Sequence, residues 1–198
     1  MNNVDNLIDI TFIDDATWRA TIQDVLVNGV PVGASNWTLT AGNLQLNPAN
    51  ITALQSNGNK TIAVKATGYN DTQVNQQILV GAVNAAKSTV SVAPPLNENT
   101  TSTFTMTAKD KYENVVSGHQ FKYDVEIVNN DPATTEIYTI NGSSHTTSLF
   151  NQGQTTNING QTTFTIGLPA HIDTGDGITI TPKLDSSPSI GTPFTFTK

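Results

Sequence analysis

Apolar and polar residues alternate at every second position in segment after segment of this chain. Threonines separate the apolar residues of Phe104–Ala108, and charged side chains separate those of Phe121–Ile127. Because successive side chains of a strand point to opposite faces, this pattern predicts strands with one buried side and one solvent-facing side. The same pattern recurs at residues 8–12, 62–66, 74–80, 164–168, 178–180 and 194–196. Short strands separated by Gly, Asn and Pro turns predict all-β, sandwich-like domains.

Helical patterns are scarce. Residues 14–22 predict one short helix, with Asp14 or Asp15 as its cap and Trp18 on its buried side. A single further turn is expected at residues 48–54, where a proline begins the turn. The 62–66 and 74–80 segments are expected to form a hairpin. The predicted fold class is therefore all-β with very little helix.

The chain is long enough for two small domains, each with its own core. The small-residue stretch Gly81–Lys87 separates the strand that ends at Val80 from the next alternating segment. We therefore expect two tandem immunoglobulin-like β-sandwich domains, 1–82 and 83–198, joined by a tight linker.

Composition narrows the class of protein. The chain has no cysteine, so each domain must be held together by packing alone. Charged residues make up only 13%, the net charge is −7, and Arg19 is the single arginine. Recognition of phosphate groups needs clustered basic residues. These values therefore argue against nucleic acid and anionic membrane surfaces as binding partners. No apolar run approaches the length of a membrane span, so membrane insertion is not expected.

The two ends of the chain predict a piece of a longer protein. The N-terminus lacks the basic and apolar regions of a signal peptide. At the other end, Phe194–Lys198 has the pattern of a strand at a domain end, with no sorting signal or anchor after it.

An informative run in the second half is Thr105–Gly118, where an alternating strand, a polar turn and a second short strand follow one another. Lys109 and Asp110 begin the turn, Asn114 ends it, and Val116-Ser-Gly follows. The run resembles the signature of bacterial immunoglobulin-like surface modules of the invasin and intimin kind. This resemblance covers about residues 86–198 and implies a spacer or adhesive role outside the cell.

The first half carries a second set of motifs between Ile8 and Ile78. They are Ile10–Ile22 with its Asp-Asp-Ala-Thr-Trp segment, Val25–Val30, Trp37–Thr40 and Lys60–Asp71. This half resembles the haemoglobin-interacting domain of a streptococcal haem receptor, a small β module of many Gram-positive surface proteins. The resemblance implies a β-sandwich module and, through the family name, haemoglobin binding. The residues themselves predict structural duties, such as a tight turn at Asn28-Gly29.

Catalytic chemistry is not predicted. His119, His145 and His171 lie 26 residues apart and have no metal-ligand spacing. No nucleophile elbow, phosphate loop or dinucleotide fingerprint occurs. Met106 lies in an alternating strand, which predicts a core residue and not a haem ligand. We therefore expect no enzyme activity and no catalytic residues.

Calcium is the one cofactor for which the sequence offers ligands, because this cation binds several carboxylate and carbonyl oxygens in a flexible loop. Asp173 and Asp176 flank glycine in one loop, and Asp14 and Asp15 form another pair. Neither pair has the spacing of an EF-hand. The alternatives are an ordinary loop for Asp173 and Asp176 and a helix cap for Asp14 and Asp15.

The leading hypothesis is a structural segment of an extracellular surface-layer or wall-associated protein of a Gram-positive bacterium. Its partners would be copies of itself or neighbouring domains of the parent protein, through lateral contacts. One alternative is an adhesive or receptor module that binds a host protein such as haemoglobin. Another is an accessory carbohydrate-binding domain of a secreted enzyme, with Trp37 and Tyr69 stacking on sugar.

Overall fold

The described residues of this chain fold mainly into antiparallel β-sheets. The computed structural model describes residues 1–131, 134–185 and 189–198, and these residues form sixteen strands in four sheets and one short α-helix. The chain folds as two units, Met1–Ala82 (unit 1) and Val83–Lys198 (unit 2). The predicted all-β fold class is confirmed.

Unit 1 consists of a three-stranded and a four-stranded sheet. The smaller sheet has the order β1-β5-β4 and contains β1 (Ile8–Thr11), β4 (Trp37–Thr40) and β5 (Asn43–Leu46). The larger has the order β3-β2-β6-β7 and contains β2 (Ile22–Val27), β3 (Val30–Pro31), β6 (Gly58–Ala66) and β7 (Thr72–Ile78). Both sheets contribute to the core, with Ile8 and Leu46 from the smaller and Val25 and Ile62 from the larger fully or almost fully buried.

The turn between β2 and β3 has the geometry that its sequence predicts. Asn28 and Gly29 both adopt left-handed backbone angles, with φ of 51° and 79°. Two such residues in succession form the hairpin turn whose twist matches the flanking strands. Asn28 also anchors the turn, since its side-chain oxygen accepts the Thr61 N–H at 3.0 Å.

The predicted hairpin of β6 and β7 is confirmed, but the expected alternation in β7 is only partly correct. Ile78 is buried, whereas Val74 is 43% exposed. The reason lies in the topology: β7 is at the end of a four-stranded sheet, and the partner sheet has one strand fewer.

The predicted helix is α1 (Ala16–Ala20), and Asp15 caps it. The Asp15 carboxylate accepts the backbone N–H groups of Thr17 and Trp18 at 2.8 and 3.0 Å. The expectation that Trp18 is buried is wrong, because no residue of this five-residue helix is buried. Pro48–Asn50 and Thr52–Leu54 form two successive 3₁₀ turns in the region where one turn was predicted.

Unit 2 is a larger sandwich. Its five-stranded sheet, in the order β12-β11-β14-β9-β8, contains β8 (Thr89–Ala93), β9 (Thr101–Thr107), β11 (Tyr138–Ile140), β12 (Ser143–His145) and β14 (Gln161–Gly167). Its four-stranded sheet, in the order β13-β10-β15-β16, contains β10 (Gln120–Val128), β13 (Leu149–Thr155), β15 (Gly177–Leu184) and β16 (Phe194–Thr197).

Aromatic rings join the two sheets of unit 2. Phe164 of β14 stacks on Tyr123 of β10 and on Phe104 of β9, with ring centroids 3.9 and 4.8 Å away. Phe104 in turn meets Phe194 of β16 edge to face at 5.2 Å. The neighbouring Met106 is fully buried, which confirms its predicted core role.

The turn inside Thr105–Gly118 is organised by Asp110, which is fully buried. Its carboxylate accepts the backbone N–H groups of Tyr112 and Asn114 and the side-chain amide of Asn114, at 2.8–3.0 Å. The backbone closes the same turn, because Asp110 N–H donates to the Asn114 carbonyl at 2.9 Å. The Asp and Asn of this signature therefore hold a turn together.

Substitution of Asp110 by alanine should destabilise unit 2. The change leaves the Tyr112 and Asn114 N–H groups without their acceptor, which should lower the free energy of unfolding by about 2–4 kcal/mol. Chemical denaturation followed by circular dichroism measures this loss. Glu126→Gln, which removes an exposed carboxylate from β10, is the matched control and should change stability by less than about 0.5 kcal/mol. Equal stability of the two variants would contradict the structural role of Asp110.

Candidate functional site

The three histidines do not form a common site. His119 lies beside Phe121, with ring centroids 5.2 Å apart, and burial lowers its pKa. His145 ends β12, and His171 is exposed and places its Nδ1 3.5 Å from Asp173. Across residues 1–131, 134–185 and 189–198, no three His, Cys, Asp or Glu side chains are grouped in a way that could hold a metal ion.

Asp14 and Asp15, the first pair of calcium candidates, are engaged in other interactions. Asp15 is the cap of α1, as the alternative interpretation predicted. Asp14 accepts Nε of Arg19 at 3.0 Å and the N–H of Gly42 at 3.2 Å. These bonds tie the start of the helix to the β4–β5 turn.

Asp173 and Asp176, the second pair, form a turn that precedes β15. Asp176 N–H donates to the Asp173 carbonyl at 3.0 Å. Asp173 is partly exposed and its carboxylate contacts Thr134 and His171. Asp176 is fully buried, and its Oδ1 accepts the Asn130 N–H at 2.7 Å.

Sequence reasoning missed two further residues of this region, Glu136 and Tyr138. Glu136 is 7% exposed, and its Oε1 accepts the Asp173 N–H at 3.4 Å. Tyr138 is fully buried. Burial, together with the charges of Glu136 and Asp176, raises the pKa of Tyr138 to about 12. The period-two alternation of strands could have identified Glu136. It stands two positions before Tyr138 and four before Ile140, so all three share the inward face.

Unit 1 contains an apolar cleft of about 200 Å³. Its walls come from both sheets and from α1. Trp18 lies against Phe12 edge to face, with ring centroids 5.3 Å apart. The other apolar lining residues are Ile10, Ile22, Val25, Leu39, Leu44, Ile62, Val64 and Val74. Since Trp18 is only half-buried, the cleft offers an aromatic surface to an apolar group from outside.

The two aromatic residues considered for sugar stacking are far apart in sequence and differ in setting. Trp37 is half-buried at the start of β4, and its Nε1 is a buried donor without a partner in the described part of the chain. Tyr69 is 42% exposed in the turn between β6 and β7. A stacking surface is therefore available at Tyr69 but limited at Trp37.

A half-buried ion pair in unit 2 joins neighbouring strands. Asp124 of β10 contacts Lys183 of β15 and accepts the Asn151 N–H of β13 at 2.8 Å. Burial alone would raise the pKa of Asp124, but the hydrogen bonds from Asn151 and Lys183 outweigh it and hold the pKa below its ordinary value. The pair links three strands of one sheet, which explains the perturbed carboxyl without a catalytic role.

Residues 1–79 match the family model described as "Heme-binding protein Shr-like, Hb-interacting domain". The resemblance of the first half to that domain is thereby confirmed. No curated protein matches the chain. The α-helix of the described residues is too short to cross a membrane, and no other helix there is long and apolar enough to do so.

Several solved structures are similar over most of the chain. The Escherichia coli adhesin FdeC is 17% identical with a TM-score of 0.46, covering 95% of this chain and 53% of its own. The Yersinia pseudotuberculosis adhesin InvE is 19% identical with a TM-score of 0.41, covering 98% and 50%. Domains 4 and 5 of the S-layer protein SbsC are 14% identical with a TM-score of 0.30, covering 87% and 66%. This chain thus spans about half the length of the two adhesin structures, and likenesses of this size assign no function.

Replacement of Asp124 by asparagine should weaken unit 2 in a pH-dependent way. At pH 7 the loss of the charge-assisted bonds should cost about 1–3 kcal/mol. Because the folded pKa of Asp124 is lowered, its contribution is present above the unfolded value of about 3.9 and disappears as the pH falls through the folded value. Urea denaturation of both proteins from pH 7 to pH 2 should therefore show curves that converge below about pH 4.

Glu126→Gln serves as the control on the same strand, since it removes one exposed carboxylate. Its denaturation curve should stay close to that of the wild type at pH 7. A constant difference between wild type and Asp124→Asn at every pH would contradict the assigned role of the Asp124 charge.

Proposed function

We propose that this chain is a non-enzymatic segment of an extracellular bacterial surface protein, located at the cell surface or in the cell wall. Its two β-sandwich units set spacing and offer lateral protein contacts, either to further copies or to neighbouring domains of the parent protein. The single observation that carries the proposal is the match of residues 1–79 to the family described as "Heme-binding protein Shr-like, Hb-interacting domain". The matched segment stands on a chain built of two β-sandwich units.

The packing of the units supports a mechanical role. Each unit has its own set of buried apolar residues, and the chain contains no cysteine. Threonines face outward from the central strands of unit 2, for example Thr103, Thr105 and Thr163 of β9 and β14. Hydroxyl groups keep such a surface soluble without the long charged side chains that ion pairs would require.

Strand edges are the natural places for lateral contacts, because an edge presents unpaired N–H and C=O groups. β7 stands at the end of its sheet, and its sequence Thr-Gln-Val-Asn-Gln-Gln-Ile contains neither charge nor proline. Charge and proline are the devices that usually block pairing at an edge. β7 is therefore the proposed lateral edge.

Lysines on β7 should weaken self-association of the full chain. Wild-type protein should show concentration-dependent sedimentation at about 100 µM, the weak range expected for a contact that is reinforced by repetition in an assembly. The double variant Asn75→Lys/Gln77→Lys should shift the midpoint of association at least about tenfold, because lysines at an edge oppose strand pairing.

The matched control is Thr103→Lys/Thr163→Lys, which adds the same charge to the exposed face of the central strands β9 and β14. It should sediment like the wild type. Equal loss of association in both double variants would assign the effect to net charge, and a wild-type chain that remains monomeric at every concentration would remove β7 as a lateral edge.

The second candidate function is binding of haemoglobin by unit 1. It is favoured by the printed description of the family that residues 1–79 match, which names a haemoglobin-interacting domain. The apolar cleft offers a contact for such a partner, because half-buried Trp18 lies beside Phe12 at its lining. Tryptophan in a pocket is among the residues that contribute most to protein interfaces.

Haemoglobin titrated into the full chain should bind with a Kd below about 100 µM if this candidate function holds. Trp18→Ala should then weaken binding at least about tenfold, as expected for an aromatic contact in an interface. Isothermal titration calorimetry measures both constants, and circular dichroism checks that the variant is folded.

Tyr69→Ala is the control, since it removes an exposed aromatic residue of the same unit outside the cleft. Its affinity should equal that of the wild type. Absence of heat and of complex formation with the wild-type chain at about 100 µM would rule out haemoglobin as a partner and leave the proposal for spacing and lateral contacts untouched.

A further inference from the structure

Besides Ser102 Oγ, unit 2 contains three buried side-chain oxygen atoms that have no hydrogen-bond partner among the described residues. They are Oδ2 of Asp176, Oε2 of Glu136 and the hydroxyl oxygen of Tyr138. Asp176 and Tyr138 are 0% exposed and Glu136 is 7% exposed. Two of the three atoms belong to carboxylates, for which burial without a partner is especially unfavourable.

The fold brings these side chains to one place. Asp173 links the two residues, because its N–H donates to Glu136 Oε1 and its carbonyl accepts the backbone N–H of Asp176. Lys198, which follows β16, fixes the turn that contains Asp173 and Asp176, since its N–H donates to the Asp176 carbonyl at 3.1 Å. Tyr138 stands two positions after Glu136 and both side chains are buried. After burial, the charges of Glu136 and Asp176 contribute to the raised pKa of Tyr138.

The cationic side chains of this region are directed to other carboxylates. Lys198 Nζ binds Glu98 Oε2 at 2.7 Å. His171 approaches Asp173, and it is largely exposed. One oxygen of each buried carboxylate is satisfied by a backbone N–H, from Asn130 and from Asp173, so the second oxygen of each is free to take a ligand.

We propose that Asp176, Glu136 and Tyr138 form a weak binding site for one Ca²⁺ ion in unit 2. Calcium fits because it is a hard cation that takes carboxylate, carbonyl and water oxygens in flexible geometry. The protein supplies two carboxylates and a neutral hydroxyl, and backbone carbonyls and water complete the shell. With so few charged ligands, the affinity belongs to the 10⁻⁴ to 10⁻³ M class known for extracellular modules, to within about a factor of ten. The site does not depend on the proposed surface function.

The proposed ligand set differs from the one that the sequence suggested. Asp173 acts through its backbone and its carboxylate contacts Thr134 and His171, so it positions Glu136 and Asp176. Glu136 and Tyr138 replace it as ligands.

Calcium should raise the melting temperature of the full chain. In differential scanning calorimetry, CaCl₂ at about ten times Kd should raise the unit 2 transition by about 4 °C or more relative to EDTA, as linkage predicts for a ligand of the folded state. Tb³⁺ provides a direct probe of the wild type, because a tyrosine beside the bound ion sensitises its emission. That emission should saturate, and CaCl₂ should compete it away.

Three variants test the assignment. Glu136→Gln and Asp176→Asn keep the shape of each side chain and should abolish the calcium-dependent rise, while Tyr138→Phe should remove most of the Tb³⁺ emission. The control Glu126→Gln removes an exposed carboxylate of the same unit and should retain both signals.

The proposal is overturned if CaCl₂ leaves the melting temperature unchanged and Tb³⁺ gives no saturable emission. It is also overturned if Glu136→Gln and Asp176→Asn retain the calcium effect. A wild type that ignores calcium but gains stability as the pH falls would also overturn the proposal, because a proton and not a cation would then neutralise the buried carboxylates. Because the Tb³⁺ titration uses the wild-type chain, the test stands even where a variant fails to fold.

Discussion

In each unit the apolar face of one sheet packs against the apolar face of the second sheet, and this packing holds the unit together. The chain has no disulfide to restrain its unfolded state, so the apolar faces of the strands must supply the stability of each unit. In unit 2 the contact is concentrated in aromatic rings, where Phe164 of one sheet stacks on Tyr123 of the other and on its neighbour Phe104. Full burial of such side chains contributes about 1.5–3 kcal/mol each. The remaining features depend on this packing, because turns and edges are placed by the strands that it fixes.

Buried and half-buried carboxylates of unit 2 divide into two kinds. Asp110 is surrounded by donors and closes a turn, and Asp124 has a lysine and a backbone N–H. Asp176 and Glu136 each have one satisfied oxygen and one without a partner in the described residues. Burial of the first two carboxylates is accounted for by their hydrogen-bond partners. Burial of Asp176 and Glu136 is not, and their unpartnered oxygens indicate a ligand. Because the Asp110 carboxylate is fully used within its own turn, the surface-module signature around it stabilises the fold and does not indicate a binding site.

Much of the fold could be predicted from sequence because alternation directly encodes the faces of strands. The segments around Phe104, Phe121 and Phe164 became strands with the expected buried faces. The strands β11, β12 and β13 were not predicted. β11 and β12 have only three residues each, and β13 is largely polar and contains a glycine. They gain their structure from pairing, β11 with β14, β12 with β11 and β13 with β10. Trp18 was expected inside, but the five-residue helix that carries it leaves it at the cleft. Glu136 escaped notice because its hydrogen-bond partner Asp173 lies 37 residues away in sequence and meets it only in the folded unit.

Amide hydrogen exchange of the full chain, followed residue by residue by NMR, tests the central claim most directly. Packing of sheet against sheet predicts the slowest exchange in the paired central strands β9, β10, β14 and β15 of unit 2 and β2, β5 and β6 of unit 1. Faster exchange is expected in β7 and β13, which stand at sheet ends. Protection concentrated in the edge strands, or uniformly low protection in the central ones, would contradict the account.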